Sequence, residues 1–353
     1  MKQGNSISEI RDILNYQQTV KKDYDVSPYR LNMTDDAMLT VRGLNVGPFA
    51  CTRTFHNQAA EKLGIPIRYY NRMLEKKPVL LAENVNRWLH DNDFTRHFTL
   101  RTFQEEGGNT ARALLSDRYR IVDHLEVSDT VLGTLADVEG LEVSSAGLTE
   151  DRLYYKYVFP RVQGEIRKGD IVQAGFVVTN SETGLGACSI LPMIFRLVCT
   201  NGMVVNVATE GFRKFHIGKH RSLENDINVY AGEGDSILLT AKINDFITTR
   251  LNEAGFRAYF DTMAAAAQAK AEADPKTLLE RTAKKFSLTE GESELVLGHY
   301  GNDADMTLYG LSNAITRASQ DVADYGRASE LEALGWTVLN MGKGLWKELN
   351  EAA

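Results

Sequence analysis

Positive charge is concentrated in one short segment of this sequence, directly after an apolar run. Residues 213–221 carry six basic or imidazole side chains in nine positions. Cations neutralise phosphate groups and aromatic faces stack on unpaired bases, so this combination suits a single nucleic-acid strand better than a duplex groove. Gly211 and Gly218 would let the backbone approach such a ligand closely. We predict a binding site formed by Phe212, Arg213, Lys214, Phe215, His216, Lys219, His220 and Arg221.

Each residue type in this segment has an expected role. The arginines and lysines would contact phosphate, one of the two phenylalanines would stack on a base, and the histidines would donate hydrogen bonds. The alternative is a solvated loop whose charges pair with the nearby acids Glu210, Glu224 and Asp226, because runs of charge are usually solvated.

Motifs of nucleotide, hydrolase and metal enzymes are absent or incomplete. The chain has no G-x-x-x-x-G-K-[ST], no G-x-S-x-G and no complete G-x-G-x-x-G. His216 and His220 have the four-residue spacing of zinc-binding histidines, but glycine and lysine stand where a catalytic glutamate belongs, and nearby cations would repel a metal. We therefore predict no cofactor, no metal and no catalytic residue.

A second group of polar side chains lies in the stretch SDRYRIVDH. Asp117, Asp123 and His124 could form an acid/base group. The simpler hypothesis is that they cap strands and form ion pairs with Arg118 and Arg120.

Three segments with different hydrophobic periodicity must position these residues. In residues 1–93, mainly helical, apolar residues at helical spacing are interrupted at residues 64–66, which predicts a helix-turn-helix-like unit. A further helix over residues 78–92 would carry one apolar face, formed by Leu80, Leu81, Val85, Trp88 and Leu89.

Residues 94–233 are rich in Val, Ile, Tyr, Phe and Thr and predict a β-rich domain that carries the basic loop. No long helix is expected between its strands, which favours antiparallel pairing. Residues 181–184 predict one turn, and Asn201 and Gly202 place another over residues 200–203. In the stretch RLYYKYVFPR successive side chains would point to opposite faces of a strand, with Tyr154 on one face and Tyr155 on the other. One of these faces could be exposed for base stacking.

Residues 234–353 return to helical periodicity. A long amphipathic helix is expected over residues 237–267, and Asp274 followed by Pro275 predicts a helix start. The predicted fold is therefore α+β, with a central antiparallel β-sheet flanked by N-terminal and C-terminal helical regions.

Composition and charge limit the partners. The 353 residues are 43% hydrophobic and carry a formal charge of −7, which argues against whole-surface attraction to nucleic acid and requires a local basic patch. No apolar stretch reaches the length of a membrane span and the N-terminus lacks the plan of a signal peptide, so we expect a cytoplasmic protein. Cys51, Cys188 and Cys199 lie far apart and predict reduced thiols.

The stretch RLVCTNGM, with LSDRYRIVDHLEV before it and HIGKH after it, resembles the phage/plasmid-like protein family, domain of unknown function 932. The likeness runs from the helical segment AAEKLGIPIRYYNRMLE to LEALGWTVL. The resemblance implies a mobile-element protein in a bacterial host cell and supplies no catalytic residues.

These observations support three hypotheses. The first is a nucleic-acid-binding protein, similar to phage single-strand annealing proteins of recombination and replication, that binds single-stranded DNA as a homo-oligomer. The second is a non-catalytic protein-binding module that counters host defence or organises a replication complex, with the helical ends as contact surfaces. The third is an enzyme acting on nucleic acid with Asp117, Asp123, His124 or the His216/His220 pair at a metal.

Overall fold

The fold is α+β, as predicted, and is built on two sheets. The computed structural model describes residues 4–91, 96–119, 121–198, 200–205, 212–214, 233–250 and 253–351. In these ranges the strands form two mainly antiparallel sheets, and no helix is long and apolar enough to cross a membrane. The second sheet corresponds to the predicted central sheet. The first was not predicted.

Sheet 1 combines short N-terminal strands with the first two strands of the predicted β-rich segment. Its order is β1-β5-β6-β4-β3-β2, and β4 runs parallel to β6. The strands are β1 (Lys21–Val26), β2 (Leu31–Met33), β3 (Leu39–Val41), β4 (Phe49–Cys51), β5 (Phe98–Glu105) and β6 (Gly108–Ser116). Strands of three residues give too few alternating positions for a recognisable pattern, which is why β2, β3 and β4 were missed.

Three helices follow β4 and pack on one face of sheet 1: α2 (Arg53–Lys62), α3 (Ile67–Lys76) and α4 (Pro78–Leu89). Thr52 caps α2 by accepting a hydrogen bond from the backbone N–H of Phe55. Gly64 then takes a φ of +67°, which ends the helix, and α3 begins directly after Pro66. The predicted interruption between two helices is confirmed.

The side chains of α4 protect the outer edge of sheet 1. The Asn86 amide donates to the Met33 carbonyl and accepts from the Met33 N–H, at 2.8 and 2.7 Å. The His90 Nε2 lies 3.0 Å from the Leu31 carbonyl. Because β2 is an edge strand, these contacts satisfy main-chain groups that would otherwise be open to another strand.

Sheet 2 has the order β7-β8-β9-β10-β11, with β12 also paired to β10. Its strands are β7 (Glu142–Leu148), β8 (Leu153–Arg167), β9 (Asp170–Asn180), β10 (Cys188–Arg196), β11 (Asn201–Val204) and β12 (Phe212–Lys214). The predicted turn at residues 181–184 lies between β9 and β10, and Gly184 has a φ of +87°.

The turn predicted over residues 200–203 is wrong. Asn201 and Gly202 are the first residues of β11, paired with Arg196 and Phe195 of β10. Thr200, with a φ of 49°, takes the left-handed position instead. The Asn201 amide is buried and donates to the Thr316 hydroxyl, so a tertiary contact overrides the local turn preference of the dipeptide.

Helices enclose sheet 2. The helix α5 (His124–Leu135) lies between β6 and β7, although the sequence predicted no long helix there. Asp274 accepts from the N–H groups of Lys276 and Thr277, which confirms the predicted start of α8. The range 237–267 predicted as one long helix is covered by α6 (Glu233–Arg250) and α7 (Glu253–Ala266), and residues 251 and 252 lie outside the described residues. The remaining helices are α1 (Ile7–Val20), α6 (Glu233–Arg250), α7 (Glu253–Ala266), α8 (Pro275–Phe286), α9 (Glu290–Asp303), α10 (Leu308–Ala318), α11 (Tyr325–Leu339) and α12 (Lys343–Leu349).

Both faces of sheet 2 are covered at β8. On one face Tyr157 stacks on Phe176, which contacts Phe246 of α6 at a centroid distance of 5.7 Å. On the other face Tyr154 packs on Tyr325 of α11. Both Tyr154 and Tyr155 are buried, so the predicted exposed aromatic face for base stacking is wrong.

Candidate functional site

The basic loop predicted from the sequence falls largely outside the described residues. Phe215, His216, Lys219, His220 and Arg221 all lie there. The other three members, Phe212, Arg213 and Lys214, form β12, whose backbone pairs with Cys188, Ser189 and Ile190 of β10. The loop therefore stays a prediction, and only its first three residues are placed, beside the start of β10.

The acid/base candidates are not brought together. Asp117 is exposed beyond the end of β6, whereas His124 is buried at the start of α5. Asp123 precedes α5, and it forms ion pairs with Arg101 and Lys21. Of its predicted partners, Arg118 forms no ion pair with it in the described ranges, and Arg120 lies outside them. Within the described ranges no group of three or more His, Cys, Asp or Glu side chains is arranged to hold a metal ion.

Asp123 instead belongs to a partly buried network between the two sheets, which we call the polar joint. Arg112 of β6 donates to the Glu182 carboxylate at 2.6 Å, and Arg101 of β5 donates to the Glu182 carbonyl at 2.8 Å. Arg101 also pairs with Asp23 and Asp123, at 3.0 and 2.8 Å. The joint has equal numbers of cations and carboxylates: Lys21, Asp23, Arg101, Arg112, Asp123 and Glu182.

The pKa shifts in and beside the polar joint keep Glu182 ionised and His124 neutral at pH 7. Burial alone would raise the pKa of the Glu182 carboxyl, but His124 and the guanidinium groups of Arg101 and Arg112 hold it well below its usual range. Burial lowers the pKa of His124 to about 4, so this imidazole is neutral at pH 7. Asn180 contacts the His124 Nδ1 at 3.0 Å. Such a neutral, internally paired network holds elements together and does not attract a charged ligand.

An exposed line of like charges lies on α3. Arg68, Arg72 and Lys76 occupy positions four apart, so they share one face of the helix, and all three are exposed. Within the described ranges none of their side chains forms an ion pair or hydrogen bond. Lys77 follows α3, and Arg87 is exposed on α4. We call these five cations the basic helix face.

This face contrasts with the charge of the whole chain. Residues 53–90 contain seven Lys or Arg and three Glu, a net charge of +4, whereas the complete sequence has −7. A local positive surface on a negative protein attracts a polyanion to one place and repels it from others.

Two aromatic side chains lie beside the cations. Tyr69 is 46% exposed and follows Arg68, and Trp88 is 50% exposed and follows Arg87. The sequence predicted one apolar face on α4 that included Leu80, Leu81 and Trp88. That prediction is wrong in part, because Leu81 is buried whereas Leu80 and Trp88 are exposed. Residues 80, 84 and 88 form a separate line one position away from the buried line 81, 85 and 89.

A groove of about 770 Å³ runs along this exposed side of α4. Its lining mixes apolar, amide and charged groups: Leu80, Glu83, Asn84, Asn86, Arg87 and His90. The helix spacing in the sequence predicted α3 and α4, but it did not predict the line of exposed cations along α3. An inspection of charges at four-residue intervals would have found it.

A family model described as Domain of unknown function (DUF932) matches residues 112–333, which is more than half of the chain. The chain belongs to the DUF932 family. The resemblance seen in the sequence is thereby confirmed for the family itself, over a shorter range. No curated protein and no solved structure matches the chain. The DUF932 range begins in β6 and ends in α11, so it contains Glu182 of the polar joint but not the basic helix face.

Proposed function

We propose that this protein binds nucleic acid through the basic helix face of α3 and α4. One observation carries the proposal: Arg68, Arg72 and Lys76 form an exposed line without ion pairs in the described part of the chain. Aligned like charges repel each other unless an external anion neutralises them. A phosphate backbone does so and gains free energy from the counterions it releases.

The sequence-based hypothesis contributes the rest of the proposal. Residues 212–221 are a second candidate surface for the same ligand. A phage- or plasmid-borne protein in a bacterial cytoplasm would encounter single nucleic-acid strands during replication and recombination. Annealing of complementary strands and assembly into a homo-oligomer also stay parts of this proposal.

Charge reversal on α3 tests it. In the variant R68E/R72E/K76E, affinity for a labelled oligonucleotide should fall at least tenfold. The slope of log K against log salt should become shallower by about 2, because each neutralised phosphate of a single strand contributes roughly 0.7. Fluorescence anisotropy at several salt concentrations measures both quantities.

Two matched variants complete the experiment. The variant K276E/K284E/K285E reverses three exposed lysines of α8 and changes the net charge by the same amount, but should leave binding nearly unchanged. The variant R213E/K214E/K219E/R221E asks whether the predicted loop binds the same strand. Equal loss in the α8 control, or full binding by the α3 variant, would contradict a binding site on α3.

A second candidate function is the protein-binding module. Ile67, Val79 and Leu80 are exposed on α3 and α4, and large apolar side chains grouped at a surface mark protein contacts. Nucleic-acid affinity that is absent or insensitive to salt would favour this function over the first.

A further inference from the structure

We infer that the ligand of the basic helix face is a single strand whose unpaired bases stack on Tyr69 and Trp88. This inference rests on the proposed function and specifies its substrate class. Within the described residues, neither ring packs on another aromatic ring and neither polar tip has a hydrogen-bond partner. Exposed aromatic rings gain free energy when a flat apolar partner covers them.

The positions of the two rings fit a continuous strand. Tyr69 lies one residue after Arg68 and three before Arg72, so it borders the line of cations on α3. Trp88 lies at the far end of α4, about 15 Å along the helix axis from Pro78. The two helices contact each other and are joined by Lys77 alone, so both rings lie on one pair of packed helices.

The charges divide this surface between backbone and bases. The phosphates of the strand would lie along α3, where Tyr69 borders the line of cations. The groove on α4 contains the Glu83 carboxylate and the Asn84 amide. A carboxylate repels phosphate, whereas both groups can accept or donate hydrogen bonds at the edges of bases.

A duplex cannot use the two rings. Its base faces are stacked inside the helix, so cations alone would act on it, and an exposed tyrosine and tryptophan would contribute little. A single strand offers both a phosphate backbone and free base faces. The geometry therefore favours an unpaired strand over a duplex.

Single aromatic substitutions test the inference. Each of Y69A and W88A should weaken binding of an oligo(dT) of about 20 nucleotides by about 5- to 150-fold, the range for one base–aromatic stack. Affinity for a duplex of the same length should be lower in the wild type and unchanged in both variants. Tyr16→Ala, at a tyrosine that is 54% exposed on α1, is the matched control and should leave both affinities unchanged.

Tryptophan fluorescence gives a second readout. Oligo(dT) should quench the emission of the wild-type protein, and W88F should remove most of this quenching because Trp336 is buried and Trp346 packs half-buried on α12, away from α3 and α4. W88F keeps an aromatic ring and should bind more tightly than W88A.

The outcomes separate this inference from the proposed function. Loss of binding in R68E/R72E/K76E with unchanged oligo(dT) affinity in Y69A and W88A would overturn the single-strand inference alone. Duplex affinity equal to that for oligo(dT) would do the same. Unchanged binding in R68E/R72E/K76E would overturn both.

Discussion

At the level of single residues, His124 is a buried imidazole whose protonation would lower the stability of the folded protein. It is 1% exposed, it contacts the Asn180 amide through Nδ1, and burial lowers its pKa to about 4. His56 is also buried, it contacts the Tyr70 hydroxyl at 3.0 Å, and burial lowers its pKa to about 4 as well. In the unfolded chain both imidazoles would titrate near pH 6.5.

The protein should therefore lose stability on mild acidification. Between pH 7 and pH 5 the unfolded state takes up protons that the folded state refuses, so the free energy of unfolding should fall by about 2 kcal/mol for each imidazole. The depressed pKa of Glu182 adds its own loss only at lower pH, because a carboxylate is still ionised in both states above pH 5.

Urea unfolding of H124Q and H56Q at the two pH values checks this prediction. Each variant should lose about half of the pH dependence, and the double variant should lose nearly all of it. A wild-type protein equally stable at pH 7 and pH 5 would contradict it.

The residues of the polar joint show what the sequence does not reveal at this scale. Glu182 stands in a stretch that is typical of a turn, and turn residues are usually solvated. Its burial depends on Arg112 and Arg101, which precede it by 70 and 81 residues. Local patterns contain no information on such distant partners. For the same reason the exposure of Tyr69 and Trp88 could not be predicted.

At the level of elements, one ion pair fixes α11 on sheet 2. The Lys156 Nζ of β8 lies 2.6 Å from the Glu332 carboxylate of α11, and both side chains are 0% exposed. Burial alone would lower the pKa of Lys156, but the Glu332 carboxylate raises it. The same ammonium donates to Ser329 and lies 4.7 Å from the centre of the Tyr325 ring.

Removing one member of this pair should be costly. K156M would leave the Glu332 carboxylate buried without its cation, and we expect the free energy of unfolding to fall by about 3–5 kcal/mol. In K156M/E332L no charge remains buried, so the double variant should be more stable than K156M. Denaturant unfolding of the wild type and the two variants measures this, and a double variant less stable than K156M would contradict the coupling.

Elements with strong local signals were predicted well from the sequence. The break between α2 and α3 and the start of α8 depend on Gly64, Pro66, Asp274 and Pro275, whose conformational preferences act locally. The helix α5 was missed because HLEVSDTVLGTL is rich in β-branched residues, which favour strands. Its core contacts through Val127 and Val131 override that preference.

At the level of the whole molecule, the two larger hydrophobic cores of the described residues meet at the polar joint. One core packs sheet 1 against α2, α3 and α4, and the other packs sheet 2 against the remaining helices. Gln58 of α2 strengthens the connection: its amide donates to the Thr183 carbonyl at 2.6 Å and accepts from the Leu114 N–H at 2.8 Å. The sequence predicted the class of the fold but not this division, which depends on contacts between distant segments.

The connection between the cores can be tested at Glu182. E182A would leave the Arg112 guanidinium buried without its carboxylate, at a cost of about 3–5 kcal/mol. The variant weakens the contact between the two cores. The backbone amides of β5 and β6 should therefore exchange with solvent faster than in the wild type, while those of β8 and β9 stay protected. Hydrogen exchange followed by mass spectrometry resolves the two regions. Uniform acceleration over both sheets would show that they unfold as one unit.

The position of β6 has a practical consequence for truncation. A fragment cut at the limits of the family match would start at Arg112, inside this strand, and stop before the buried Trp336. Leu114 would lose its partner strand β5, and Glu182 would lose Arg101. The residues that match the family model are therefore not the residues that fold as one unit. Recombinant expression should retain the N-terminal residues that complete the first sheet.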